Sequence, residues 1–135
     1  MTPSRPADAA VGAGRWIKAQ EFAEAAHLHR PIDDEGVPQG GDIYVMLAVH
    51  AGIAAADVIC IGALGEYSAT GAHDEALQLI GKVDSEARTA LARLLALKTK
   101  AGYTHRHVSR RDVQTAEKAL EKMMDAASGW ARARG

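Results

Sequence analysis

Cysteine and aromatic side chains are scarce in this chain of 135 residues. It contains one cysteine, one phenylalanine, two tryptophans and three tyrosines. A single cysteine excludes an intramolecular disulfide framework and is consistent with a reducing compartment. Because Cys60 lies in the apolar run 58–61, we predict a buried thiol that packs as a small hydrophobic side chain rather than a nucleophile.

A large excess of charge of one sign is also missing, since the formal net charge is −1. This balance excludes a uniformly basic protein that coats nucleic acid or membranes. The charges are nevertheless unevenly distributed. Residues 1–97 carry 7 basic and 13 acidic side chains, whereas residues 98–135 carry 9 basic and 4 acidic ones. Such asymmetry is typical of a polyanion-binding edge, and equally of a contact between acidic and basic protein faces.

Targeting signals and familiar catalytic motifs are not found. The N-terminal residues 1–14 lack the apolar core of a signal peptide, and His50 and Asp57 interrupt the longest apolar stretch. We therefore expect a cytoplasmic protein with no membrane span. The sequence also has no P-loop, no serine-hydrolase elbow and no zinc-protease motif.

Helical periodicity dominates the rest of the chain and predicts an all-α, up-and-down bundle of four to five helices. The length predicts one domain over 14–130, with a flexible lead-in at 1–13 and a tail at 131–135. We find no segment with the alternation of a strand. The expected helices begin near Gly14, after Asp42 as N-cap, near His73, after Asp84 or Ser85, and at Ser109, and the middle three end at about Leu64, Gly81 and Lys100.

Two of these helices carry the clearest signals. The second is apolar on nearly every face, which predicts that the other helices surround it. The last opens with Ser109 and Asp112 at the spacing of a capping box.

The densest group of polar side chains forms what we call the basic turn, residues 98–111, between the last two predicted helices. Phosphate is the natural ligand of such a group, because cations neutralise its charge, helix N-terminal amides attract it and histidine exchanges protons near neutral pH. The alternative is a solvated turn whose cations offset the dipole of the preceding helix. The group comprises Lys98, Lys100, Tyr103, His105, Arg106, His107, Arg110 and Arg111.

His50 and Asp57 form a second polar feature, seven residues apart on one stripe of the apolar second helix. Two helical turns separate them by about 10 Å, so they do not pair directly. Each is expected to have a partner on another helix, and Lys98 or an arginine of the fourth helix is the candidate for Asp57. The pair belongs either to a buried structural network or to a polar binding site.

The histidines also form two H-x-H pairs, His27/His29 and His105/His107. Side chains two residues apart point to opposite sides of a helix, and no cysteine or glutamate completes a four-ligand set. We therefore predict no metal site and no cofactor.

The order of these features resembles the HEPN domain family over roughly residues 14–128. The segments LAVHAGIAAADVIC, GAHDEALQLI and KAGYTHRHVS carry the resemblance. It implies a helical bundle that forms a homodimer, often with a nucleotidyltransferase-type antitoxin as partner in a toxin–antitoxin system. In members that cleave RNA, an R-x(4–6)-H motif in this turn meets its symmetry mate and drives metal-independent cleavage through the ribose 2′-hydroxyl.

This chain departs from that motif, because Lys100 stands where the arginine would precede His105 or His107. Lysine keeps the charge but lacks the planar fork that grips phosphate. The resemblance would make one of the two histidines the general acid or base, with Lys100 and Arg106 stabilising the phosphorane. Whether the protein is an enzyme is left open.

Three hypotheses follow. The first is a homodimer that binds RNA or a nucleotide phosphate through the basic turn, with Lys98, Tyr103, Arg106, Arg110 and Arg111 as contacts. The second is a non-catalytic interaction module whose basic turn docks an acidic partner. The third is a small-ligand pocket between helices, lined by His50 and Asp57.

Overall fold

The computed structural model describes residues 4–32, 36–68 and 73–133, and these form five helices and one two-stranded sheet. The prediction of an all-α helical bundle is confirmed. The elements in chain order are β1 (Ser4–Pro6), α1 (Ala9–Leu28), α2 (Gly41–Leu64), β2 (Glu66–Ser68), α3 (His73–Gly81), α4 (Ser85–Tyr103) and α5 (Arg110–Ala133).

Helix α2 lies at the centre of the bundle, where it packs against α1, α4 and α5. Its side chains Tyr44, Val45, Val49 and Ile59 are at most 1% exposed. The prediction of a helix surrounded by protein is therefore confirmed. Burying each aliphatic side chain of this set contributes roughly 1.5–3 kcal/mol, so α2 makes a large contribution to the stability of the core.

By length and composition, Gly41–Leu64 is the one helix in the described part of the chain that is long and apolar enough to cross a membrane. However, 67% of its apolar window is buried against the other helices. The central helix of a bundle meets the same criteria of length and composition, and its apolar faces are covered by its neighbours.

The N-terminal segment differs from the prediction. Helix α1 begins at Ala9 rather than near Gly14, because the carboxylate of Asp8 caps it by accepting from Val11 N at 3.0 Å. Strand β1 pairs antiparallel with β2, with Arg5 opposite Tyr67. The expectation of no strand was wrong, since three-residue strands are too short to show alternation.

The outer parts of the expected lead-in and tail, residues 1–3 and 134–135, lie outside the described residues. Helix α5 continues through Ala133, three residues beyond the expected domain limit at 130.

Two further helix ends also differ. Asp42 was predicted to cap α2, but Gly40 occupies the N-cap with a φ of 79°, and Asp42 lies inside the first turn. A left-handed residue at this point favours glycine. Helix α4 is capped by Asp84, as predicted, and extends to Tyr103 instead of Lys100.

The capping box of α5 is confirmed. The hydroxyl of Ser109 accepts from Asp112 N at 3.1 Å, and the Asp112 carboxylate accepts from Ser109 N at 2.9 Å. These reciprocal bonds fix where α5 begins and therefore fix the C-terminal side of the basic turn.

Candidate functional site

The carboxylates of Asp42 and Asp112 hold the basic turn in place. From the sequence, both were predicted only as parts of helix caps. The Asp42 carboxylate accepts from Val108 N at 2.9 Å and contacts His107 Nδ1 at 2.6 Å. The Asp112 carboxylate accepts from Lys100 Nζ at 2.8 Å. Both ends of the turn are thus tied down, one to the start of α2 and the other to the start of α5.

These contacts change the electrostatics of the turn. Burial alone would raise the pKa of the Asp112 carboxyl, but hydrogen bonds from Lys100 and Ser109 lower it below its ordinary value. Asp112 is therefore ionised at neutral pH and offsets the charge of Lys100. Lys100 is therefore committed to an internal ion pair.

The residues predicted for the site separate into two sets. The exposed set is Tyr103, with 70% of its surface accessible, together with His105, Arg106 and Arg111. Within the described ranges, the side chains of this set form no hydrogen bond or ion pair. They are the groups of the turn that a ligand can reach.

The second set is turned toward the protein. Lys98 is partly buried, and its Nζ lies 3.3 Å from Nε2 of His73 on α3. Arg110 is also partly buried and is engaged in an interaction of its own. Lys98 and Arg110 are therefore poorly placed to contact a ligand that binds the exposed set.

His50 and Asp57 do not join the basic turn, nor do they share a site. His50 is exposed, and its ring stacks on Phe22 with centroids 5.3 Å apart. The partner expected on another helix is, for His50, the ring of Phe22 on α1. Of the alternatives left open by the sequence, a cavity lined by both residues is not found among the described residues, because the cavity that Asp57 lines does not include His50.

Asp57 pairs with Arg15 of α1, whose Nε donates to Oδ2 at 2.8 Å. The expected partner, Lys98 or an arginine of the fourth helix, was wrong. Burial raises the pKa of the Asp57 carboxyl to about 6, although the charge and hydrogen bond of Arg15 act in the opposite direction. Sequence reasoning missed Arg15, because no local pattern relates it to a residue 42 positions away.

Cys60 is buried, as predicted, and is 3% exposed. Burial is the largest cause that raises the pKa of its thiol to about 12, so the thiol is protonated at neutral pH. In the part of the chain that the structure describes, no group of three or more His, Cys, Asp or Glu side chains could hold a metal ion.

No protein-family model matches this chain, and no curated protein matches it. The HEPN resemblance is therefore a hypothesis that rests on the three sequence segments and on the order of the helices.

Proposed function

We propose that this protein is a cytoplasmic, HEPN-like homodimer that binds RNA or a nucleotide phosphate through the exposed side chains of the basic turn. The observation that carries the proposal is the exposed set on the α4–α5 loop and the adjoining helix ends, which two carboxylates tie down. The set is Tyr103, His105, Arg106 and Arg111. A nucleotidyltransferase-type antitoxin is the protein partner that the resemblance implies.

The side chains of the exposed set have the chemistry to bind single-stranded RNA. An aromatic ring that is 70% exposed offers a face on which a base can stack, and stacking of this kind is worth roughly 1–3 kcal/mol per base. The neighbouring guanidinium groups of Arg106 and Arg111 can each bond a phosphate through two parallel hydrogen bonds. Asp112 N already donates to Ser109, so this amide of the first turn of α5 does not contribute to phosphate binding.

The same geometry distinguishes the two candidate catalytic histidines. His107 has Nδ1 held by Asp42 at 2.6 Å while 68% of its side chain is exposed. A carboxylate in that position fixes the orientation of an imidazole and leaves Nε2 as its exposed nitrogen. If the protein cleaves RNA, we propose His107 as the general base, and His105 and Arg106 as groups that contact the phosphate.

RNA binding is tested with a fluorescent single-stranded oligonucleotide and anisotropy measured at several salt concentrations. Tyr103→Ala is expected to weaken binding about tenfold, since one stacked base is lost. Arg106→Ala combined with Arg111→Ala is expected to reduce the slope of log K against log salt by roughly 0.7 for each phosphate contact removed.

Arg93→Ala is the matched control, because Arg93 is an exposed arginine of α4 outside the basic turn. Its affinity and salt slope should equal those of the wild type. Equal affinities for all four proteins would contradict the proposal. In that case, a stable complex with an acidic protein that is lost in the double arginine variant would favour the interaction module.

One specific observation favours the second candidate function, an interaction module that docks an acidic partner. Asp42 belongs to the acidic part of the chain and already contacts the basic turn through His107 and Val108. The turn therefore docks a carboxylate of its own chain, and an acidic partner would use the same type of contact.

Dimer formation is supported by apolar side chains beside the basic turn. Val37 is 65% exposed, Ile43 is 54% exposed, and both line the same shallow depression as His107. Exposed aliphatic side chains next to a proposed ligand site are typical of an interface. A two-fold contact here would bring the two basic turns together.

We therefore expect Ile43→Glu to convert a dimer into a monomer in size-exclusion chromatography with light scattering, because the dimer would place two carboxylates in its interface. Ile17→Glu is the control, since Ile17 lies in the middle of α1 and is 57% exposed. A wild-type monomer, or equal masses for the wild type and the Ile43 variant, would contradict this interface.

A further inference from the structure

A cavity of about 330 Å³ lies away from the basic turn, among α1, α2, β2, α3 and α4. Its volume is within the range of about 300–1,000 Å³ that is usual for small-molecule sites. Asp57 and Arg15 form part of its wall. The cavity belongs to none of the contacts that hold the basic turn.

Two polar groups in the wall have unused hydrogen-bonding capacity. The Oγ atom of Ser68 is buried and has no hydrogen-bond partner within the described ranges. Arg15 uses Nε to bond Asp57, and the described residues provide no partner for its two terminal nitrogens. Buried hydroxyls are nearly always paired, so an orphaned one beside a cavity marks a place where a ligand or water completes the bonding.

The donors of the wall favour an acceptor group. The charges of Arg15 and Asp57 offset each other, while the two terminal nitrogens of Arg15 are left to donate. Lys98 is not part of the wall, but its Nζ lies 3.3 Å from Nε2 of His73. An ammonium group can only donate, so Nε2 of His73 accepts from Lys98 and its Nδ1 carries the ring proton. The unpaired polar groups around the cavity are thus mainly donors.

The remainder of the wall is apolar. Ile53 and Ala56 come from α2, Ala76 from α3 and Leu95 from α4, and the ring of Tyr67 closes one side. A ligand that fills this space needs an apolar body, because a fully polar one would lose hydration without replacement bonds.

We propose that this cavity binds a small organic carboxylate with an apolar body, whose carboxylate bonds Arg15 and Ser68. A carboxylate supplies acceptors for Arg15 and Ser68 and adds one negative charge, whereas a phosphate monoester would bring nearly two negative charges close to Asp57. The site is independent of the RNA-binding surface, so either proposal can fail without the other.

The test uses four probes that share one ring and differ in their polar group: benzoate, benzamide, benzamidine and phenyl phosphate. Binding to the full chain is measured by ligand-observed NMR and by the shift in Tm. Benzoate is expected to bind at least tenfold more tightly than benzamide, and benzamidine is expected not to bind because its cation can only donate and meets the donors of Arg15. Tighter binding of phenyl phosphate than benzoate would overturn the carboxylate assignment.

Two substitutions of equal size locate the site. Ala76→Leu fills the cavity without changing its charge, and it should reduce benzoate affinity at least tenfold. Ala96→Leu is the control, because Ala96 is exposed on α4 and lies outside the cavity wall, and its affinity should equal that of the wild type. Ser68→Ala should weaken benzoate binding several-fold. Absence of benzoate binding, or equal affinity in the Ala76 variant, would overturn the proposal.

Discussion

Gly52→Val is expected to lower the free energy of unfolding by about 3 kcal/mol, at the upper end of what overpacking of a core costs. Gly52 lies in the middle of α2 where that helix meets α4. A Cβ atom at this position would come within 2.5 Å of Leu94 Cδ1. Leu94 is itself fully buried, so its methyl group has little room to move away. Urea denaturation followed by circular dichroism measures the change.

Gly129→Val in α5 is the control, since a Cβ atom there would meet nothing within 4 Å. Valine has a slightly higher helix propensity than glycine, so this variant should be unchanged or more stable by a few tenths of a kcal/mol. A second check combines Gly52→Val with Leu94→Ala, which removes the colliding methyl group. The combined loss should be smaller than the sum of the two single losses. Additive losses would show that the contact between α2 and α4 at Leu94 does not cause the destabilisation by Gly52→Val.

Much of the fold could be predicted from the sequence, because its strongest signals are local. Apolar residues on every face of α2 predict a central helix wherever the other helices are placed. His73–Gly81 has the predicted bounds, and the Ser109–Asp112 box has the predicted bonds. In each case the determining residues lie within one or two helical turns of each other.

The errors concern contacts between residues that are distant in sequence. Asp42 has the composition of an N-cap, yet it bonds Val108, 66 residues away. Arg15 and Asp57 are 42 residues apart, and nothing in the periodicity of either helix identifies the other. Local patterns do not specify which helix faces are adjacent, so these partners required the structure.

The candidate site shows the same limit. The basic turn was found as a charge cluster, but the sequence could not separate exposed members such as Arg106 from those committed to internal contacts, such as Lys100 and Lys98. That division depends on the two carboxylates, and one of them, Asp42, lies 66 residues away from the Val108 that it binds. The cavity among α1, α2, β2, α3 and α4 depends on strand β2, which the sequence analysis did not detect.

The second large effect is expected at the Arg15–Asp57 ion pair. Arg15→Leu should lower the free energy of unfolding by roughly 2–3 kcal/mol at pH 8, because it leaves the carboxylate without its described partner in a site where the Asp57 side chain is only 14% exposed. This is less than the loss for a fully buried pair, since water screens an arginine side chain that is 28% exposed. Lys18→Leu on the exposed face of α1 is the control for loss of a cation, and it should change stability by less than about 0.5 kcal/mol.

The pH dependence of that loss distinguishes the ion pair from simple loss of packing. Burial raises the pKa of Asp57 from 3.8 to about 6 in the folded state. A carboxyl with a raised pKa contributes stability that is fully present below about pH 4 and is lost as the pH rises through 6, an effect of about 3 kcal/mol for this shift.

Without Arg15 the pKa of Asp57 should rise further, so the variant should lose stability over a higher pH window than the wild type. The stability of the variant should approach that of the wild type near pH 5, where the carboxyl is protonated. Asp57→Asn should remove the pH dependence between pH 4 and 7, both alone and with Arg15→Leu. Urea denaturation at pH 5, 6, 7 and 8 measures all four proteins. A difference between wild type and Arg15→Leu that is the same at every pH would mean that packing, rather than charge, accounts for the role of Arg15.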